Sequence, residues 1–404
     1  MTKYSSFRFF AHPKTFFFGV CLGILICAIY GRKISGENHY ENFVRLGGGA
    51  ATRGISFQVT ASQMSALINK TCRQDQILVL AGGSSVFFGS GQPIRYIWTK
   101  KLQEKLGVEY CVMNFATPAG GLVGYGSVSL EMVGKRFKNA FLVTDASAVP
   151  SSQADGMLWY KHYFWDAYYK GLLTTSTVSY NAERINKINE NNMASDAKTS
   201  ERAEQIRIGM WLDSFLYFND LWSYVHYTKK LTIYDPLLGP WNWGPLYPIT
   251  DYDYEIDEVK IRSLQHYPKT DSPQFKSEFE IVRSYSKQYI DIKSGSHMFN
   301  ERNLISANEA IKKQPLTDIA GHILVVSIPE SPYYTQKMTK DEQVDYIAVR
   351  KEIVELWRQN GYPAFFMEGF GPEDYGDRPH INTFGGWKLA EKVAEKVKEI
   401  SHQQ

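Results

Sequence analysis

The chain predicts an α/β protein: a five-stranded parallel sheet between two layers of helices, preceded by one membrane-spanning helix. Three observations carry this expectation. Short apolar runs alternate with amphipathic stretches of helical period on both sides of a long middle segment, a rhythm that needs crossover connections and therefore a parallel sheet. An uncharged apolar stretch near the N-terminus is unlike anything after it. The residues suited to nucleophilic chemistry fall just after apolar runs, where open sheets of this class place their ligand crevice.

Residues 15–31 carry no charge and are flanked by Lys14 and by Arg32-Lys33. At about 1.5 Å per residue they fall slightly short of a hydrocarbon layer roughly 30 Å thick, a gap that snorkelling basic flanks close. A cleaved signal peptide is the rival reading, but no small-x-small cleavage site follows Ile29. Neither Cys21 nor Cys27 follows the small residue a lipoprotein signal needs. Lys3, Arg8 and Lys14 precede the span, while Arg32 and Lys33 are soon joined by Glu37 and Glu41, so residues 1–14 read as a cytoplasmic tail and the body as extracytoplasmic.

Residues 32–73 read as a stalk containing Gly47-Gly48-Gly49 and a leading helix over 58–70. The body, 74–404, then gives a strand over 77–81, a helix over 94–106, a strand over 110–114, a helix over 128–137 and a strand over 140–144. The alternation stops across an insertion, 150–321. It resumes with a strand over 322–328, a helix over 341–359, a strand over 362–367 and a closing helix over 385–400.

With 404 residues, 44% hydrophobic and 14% aromatic, the chain can bury one large core with an insertion, which excludes a disordered protein. Its 45 basic and 42 acidic residues leave a net charge of +3 with no long basic run, so no nucleic-acid partner is expected. The insertion is dense in aromatics, and the spacing of Trp211, Phe215, Phe218 and Trp222 is that of a buried helix face, so most of these rings predict a small core of their own. Trp241 and Trp243, in a loop bounded by Pro and Gly, are the better candidates for a surface that meets a sugar ring or acyl chain. Cys72 and Cys111 either pair in an oxidising compartment or remain buried thiols. No Cys/His spacing fits zinc, and Asp251 to Glu255 lacks the glycine turn of a calcium loop.

Near the C-terminus, Asp377-Arg378-Pro379-His380 puts a carboxylate three residues before an imidazole, a spacing that lets an acid fix the tautomer and orientation of a base. Far upstream, the run Ile77 to Ala81 ends in Gly82-Gly83-Ser84-Ser85, an exposed serine after a strand. A hydroxyl is a weak nucleophile until a neighbouring base takes its proton. Either Ser84 or Ser85 can supply that hydroxyl, and Asp374 is the alternative to Asp377 as the orienting acid.

Together the two segments resemble the SGNH, or GDSL-type, hydrolase superfamily. Gly83-Ser84-Ser85 stands where that family has Gly-Asp-Ser, and Ser85-x-x-x-Gly89 keeps its glycine. The resemblance implies a flavodoxin-like strand order, a Ser85-His380-Asp377 triad, and an oxyanion hole from the backbone N–H groups of Ser85 and Ala116, with Asn114 as a substrate contact. Ala116 stands at the family's glycine position. The family's third donor, an asparagine in Gly-x-Asn-Asp after the third strand, is missing, since the chain reads Val143-Thr144-Asp145-Ala146-Ser147. Losing one such donor typically costs on the order of a hundredfold in rate.

The anchor, the Gly-Ser-Ser block, the missing third block and the long insertion are similar to membrane-anchored members that assist surface-polymer acylation: D-alanyl transfer proteins and periplasmic polysaccharide O-acetyltransferases. This resemblance implies an extracytoplasmic acyltransferase acting on a cell-surface polysaccharide or polymer beside a polytopic membrane-bound O-acyltransferase, with no cofactor or metal. A membrane-tethered esterase with the same triad and a catalytically inactive scaffold of the same fold are the alternatives.

Overall fold

The computed structural model describes residues 13–35, 60–89, 92, 96–116, 122, 125–145, 163–173, 197–221, 265, 267–293, 296–314 and 316–403. Its strands, in chain order, are β1 (Ile77–Ala81), β2 (Tyr110–Asn114), β3 (Asn139–Asp145), β4 (Ile290–Lys293), β5 (Ser296–Phe299), β6 (Ile323–Ser327) and β7 (Ala364–Phe366). Five of them form a parallel sheet in the order β2-β1-β3-β6-β7, with Ile77 paired to Tyr110 on one side and Asn139 on the other. Counting only the parallel strands, the order is 2-1-3-4-5. Winding reverses between β1 and β3, so the crevice of such a sheet lies beyond their carboxyl ends.

The two-residue period of the strands sorts their side chains onto two faces. Leu78, Leu80, Met113, Leu142 and Val325 meet one helical layer, which includes the leading helix α2 (Ala61–Thr71), α5 (Tyr125–Val133) and the long helix Lys340–Gln359. Val79, Ala81, Phe141, Val143 and Val326 meet the other, built from α3 (Ser85–Phe88), α4 (Trp98–Leu106) and the closing helix Thr383–Gln403. The expected α/β body with a five-stranded parallel sheet is therefore present.

Local chemistry sets the helix boundaries. Thr60 and Gln63 form a capping box at the start of α2, and Thr339 and Glu342 do the same for the helix Lys340–Gln359. α5 begins before the expected 128, at Tyr125, because Gly126 lets it approach the end of β1. A Cβ there would stand 3.1 Å from Gly82 Cα and 2.7 Å from Leu142. α2 is part of the body: Ala61, Met64 and Ile68 are fully buried against the sheet layer. Cys72, at its end, is disulfide-bonded to Cys111 on the edge strand β2, with Cα atoms 5.6 Å apart.

Between β3 and β6, the expectation of a mostly helical insertion with its own core needs two corrections. β4 and β5 form an antiparallel hairpin that hydrophobic periodicity did not reveal, since all of β5 is exposed. The aromatics divide in two. Tyr163, Phe164 and Trp165 are buried, and they join the core of the main sheet. Trp211, Phe215 and Phe218 are instead 47%, 63% and 53% exposed, so the face that read as buried is outward.

A buried ionic clasp binds this region to the body. Lys170 Nζ lies 2.9 Å from Asp166, 3.4 Å from Asp213 and 2.5 Å from Asp220, all almost fully enclosed. Asp166 also accepts from the Ala61 N–H at the start of α2, and Asp220 accepts from the Thr60 hydroxyl at 2.7 Å. Burial presses the Lys170 ammonium down, but the three aspartates outweigh it and hold the group well above its usual range.

The N-terminal helix α1 (Pro13–Ser35) contains the segment Lys14–Ser35, long and apolar enough to cross a membrane. Phe17, Phe18, Leu25 and Ile29 are exposed, whereas Gly31, Ile34 and Ser35 are buried in the body.

Candidate active site

β1 runs straight into Gly82 and Gly83. Gly83 has φ +91°, and a Cβ on it would fall on the Asp145 carboxylate and 2.9 Å from Thr144 Oγ1. Glycine alone lets the chain turn this close to the end of β3. Ser84 then donates its N–H to Asp145 Oδ1 at 2.9 Å and its hydroxyl to Asp145 Oδ2. This pair pins the turn and commits Ser84, the alternative nucleophile, to a carboxylate.

Ser85 is the first residue of α3, so its backbone N–H opens a helical turn, the end at which N–H groups lack partners within the helix. The Ser85 side chain lies outside the described residues, as do Trp241 and Trp243.

The loop from β7 to the closing helix presents Asp377 and His380. His380 Nδ1 stands 2.9 Å from each oxygen of the Asp377 carboxylate, and the His380 N–H donates to Oδ1 at 3.0 Å. Burial works to raise the Asp377 carboxyl, but the hydrogen bonds and charge of His380 prevail and hold it below the usual carboxylate value. The imidazole is thus held by a bidentate acid.

The histidine loop is braced on every side. Gly376 N–H donates to His380 O at 2.8 Å, and Tyr375 bridges to Ile381, closing the turn. Ser331 N–H, after β6, holds Arg378 O at 3.0 Å. The Tyr375 hydroxyl donates to Pro329 O at 2.7 Å and the Tyr267 hydroxyl to Pro372 O at 2.9 Å. Asn382 accepts from the N–H groups of Phe384 and Gly385, capping the closing helix, and its amide donates back to Glu373 O.

Asp374, the alternative orienting acid, is engaged elsewhere: its Oδ2 accepts from Lys388 at 2.6 Å and from the Gly371 N–H at 2.7 Å, and it is buried.

Gln92 joins the two halves. Its Oε1 accepts from Trp98 N–H at the start of α4, while its Nε2 donates to Ile381 O, one residue after His380. Its own N–H returns to Gly89 O, the end of the serine turn. Val86, Phe87, Ala116, Tyr375 and Ile381 share one apolar cluster beneath these loops. Serine turn, β2 loop and histidine loop therefore sit together beyond the carboxyl ends of the strands.

Two expected roles change. Asn114 is buried, donating to Phe87 O at 3.2 Å and accepting from the Ala116 N–H at 3.1 Å, so it is a brace between α3 and the β2 loop rather than a surface contact. One of the two bonds is local, since an asparagine side chain readily bonds the backbone two residues on; the other reaches α3. The Ala116 N–H is accordingly directed at Asn114, and it can serve an oxyanion only by exchanging that bond for the substrate oxygen.

Sequence reasoning did not single out Gln92, Asn382 or Glu330. Asn382, just before a helix, carried a capping signal. Gln92 carried none, because its bond to Ile381 O joins segments 289 residues apart. Glu330 lies 3.9 Å from Arg378 and 4.0 Å from Arg350, and burial pushes its carboxyl up despite these cations.

Comparison with protein-family models, with curated proteins and with solved structures finds no match for this chain.

Proposed function

We propose that this chain is a membrane-anchored, extracytoplasmic acyltransferase of SGNH type that moves an acyl group, acetyl or D-alanyl, to a cell-surface polysaccharide or other polymer. The observation that carries the reading is His380, gripped through Nδ1 by Asp377 in a braced loop that Gln92 ties to the serine turn. In this mechanism Ser85 Oγ attacks the acyl carbonyl and its proton passes to His380 Nε2. Asp377 fixes the tautomer that leaves Nε2 as the base and stabilises the imidazolium. The tetrahedral intermediate, its oxyanion toward the Ser85 N–H, expels the donor group, which takes the proton. A polymer hydroxyl then attacks the acyl-serine, gives its proton to His380 and restores Ser85.

Retention of α1 as an anchor is supported by its last turn, where Gly31, Ile34 and Ser35 are built into the body. An extracytoplasmic body is supported by the Cys72–Cys111 disulfide, a bond typical of oxidising compartments. Such a site would work beside a polytopic membrane-bound O-acyltransferase that supplies the acyl group.

A scaffold that does not turn over is the second reading. It is favoured by Asp145, an acceptor at the end of the strand where the family places a donor. Intact-mass spectrometry of the full chain exposed to an activated acetyl ester, beside Ser85→Ala, separates the readings. An adduct on Ser85 that persists in water and discharges to glycan supports transfer; rapid loss in water alone indicates an esterase. No adduct, or one retained in Ser85→Ala, sinks the nucleophile assignment.

A further inference from the structure

The helix Ala197–Leu216 packs against α1 and presents two unlike faces. Met210 and Asp213 are buried, and Ile206 packs on the main core. On the outward side, Glu201, Glu204 and Gln205 are exposed in the first half, and Ile208, Trp211, Leu212 and Phe215 in the second. The last four are 45%, 47%, 46% and 63% exposed, at a spacing that lines them along one stripe. The outward face therefore changes from polar to apolar along its length. The apolar end is the one that meets the anchor.

That junction is fixed. The helix stops at Tyr217, which adopts a left-handed φ of 51°, and the Tyr217 carbonyl occupies the space a Cβ on Gly31 would need. Lys170, the cation of the buried clasp, lies 5.3 Å over the Tyr217 ring. The apolar stripe is thus held rigidly beside the buried last turn of α1, where that helix enters the body.

We infer that the stripe Ile208, Trp211, Leu212 and Phe215 inserts into the headgroup and acyl-chain boundary of the bilayer that α1 crosses, as a second membrane contact. The inference rests on α1 being a retained membrane span. An exposed apolar stripe that carries a tryptophan and stands beside a spanning helix is placed where a membrane boundary is met. Two contacts, one spanning and one lying in the boundary, fix the tilt of the body, so the crevice beyond β1 and β3 keeps one height and direction relative to the membrane.

The test uses the full chain in vesicles of phosphatidylethanolamine and phosphatidylglycerol, with no other protein present. Nitroxide labels are placed at Gln205→Cys, Leu212→Cys, Phe215→Cys and Leu25→Cys in a Cys21→Ser, Cys27→Ser background, and accessibility to oxygen is compared with that to a water-soluble nickel chelate. The oxygen-to-nickel ratio at Leu212→Cys and Phe215→Cys should exceed that at Gln205→Cys roughly tenfold, as burial in the boundary requires. Should both match Gln205→Cys while Leu25→Cys reports hydrocarbon, the anchor stands and the inference falls, leaving the stripe to a protein partner. An aqueous Leu25→Cys removes the anchor reading itself. As an unlabelled check, brominated lipid should quench the tryptophan emission of the native chain more than that of Trp211→Phe, and equal quenching also overturns the inference.

Discussion

Breaking the Cys72–Cys111 bond should cost the fold about 4 kcal/mol. The bond joins residues 39 apart. Closing a loop of that size removes about 13 cal/mol/K from the unfolded chain, or about 3.9 kcal/mol near room temperature in the chain-entropy treatment. Against a total stability of roughly 5–15 kcal/mol, that is a large share. The staple also holds the edge strand β2 to the end of α2, and both sulfurs are buried. Urea unfolding of the full chain in detergent, followed by circular dichroism with and without reductant, reads the cross-link alone because the sulfur atoms remain in place. The double variant Cys72→Ala, Cys111→Ala adds the lost packing and should unfold earlier still. Cys111 lies toward the amino end of β2, away from the crevice, so reduction of the folded protein should leave the proposed acylation of Ser85 unchanged. An unchanged midpoint on reduction would refute the reasoning. So would labelling of Cys72 or Cys111 by a thiol reagent in unfolded, unreduced protein.

Asp377→Asn should lower acyl turnover by up to about 10⁴-fold while leaving the loop in place, because the amide no longer selects the productive imidazole tautomer; single-turnover kinetics would show it, and an unaffected rate would remove Asp377 from the site. The low Asp377 pKa stabilises the fold above the usual 3.8 and loses that effect as pH falls through the lower folded value, so the stability gap between wild type and Asp377→Asn should narrow in acid. Lys170→Met leaves three buried aspartates without a cation and should destabilise by about 3–5 kcal/mol in thermal or urea unfolding. Burial raises Asp220 in the folded state, with Lys170 opposing, and a raised carboxyl costs stability as pH climbs through its folded value; the Lys170→Met defect should therefore shrink on acidification. Gly83→Ala forces a Cβ onto Asp145 at a left-handed φ and should cost more than about 2 kcal/mol together with turnover, whereas a native-like midpoint would show that the turn relaxes.

The best-read elements were those whose surroundings are written into their own residues. β1 and β2 fall on the expected residues, because strands buried on both faces read as unbroken apolar runs bounded by turn residues. The closing helix and the helix Lys340–Gln359 came within two or three residues, fixed by their caps and periodicity. The hairpin β4–β5 was invisible because exposed strands carry no hydrophobic alternation. Trp211 and Phe215 misled because a period of 3.6 marks a helix face as apolar without saying what covers it.

Within the site, Asp377 and His380 were legible because their partnership is local, three residues apart and closed by a single turn. The elimination of Asp374 needed Lys388, fourteen residues on in the closing helix. The reassignment of Asn114 needed the Phe87 carbonyl from another strand's loop.

Residue order alone thus determined the α/β alternation, the apolar N-terminal helix and the pairing of Asp377 with His380, each a matter of short-range spacing. The tertiary structure decided which serine is tied to Asp145, how Gln92 links the serine and histidine loops, that two cysteines meet, and that an apolar stripe stands beside the N-terminal apolar helix. Those are contacts between residues far apart in the chain, and no local pattern encodes them, because they arise only when packing of the sheet and its helices brings distant segments together.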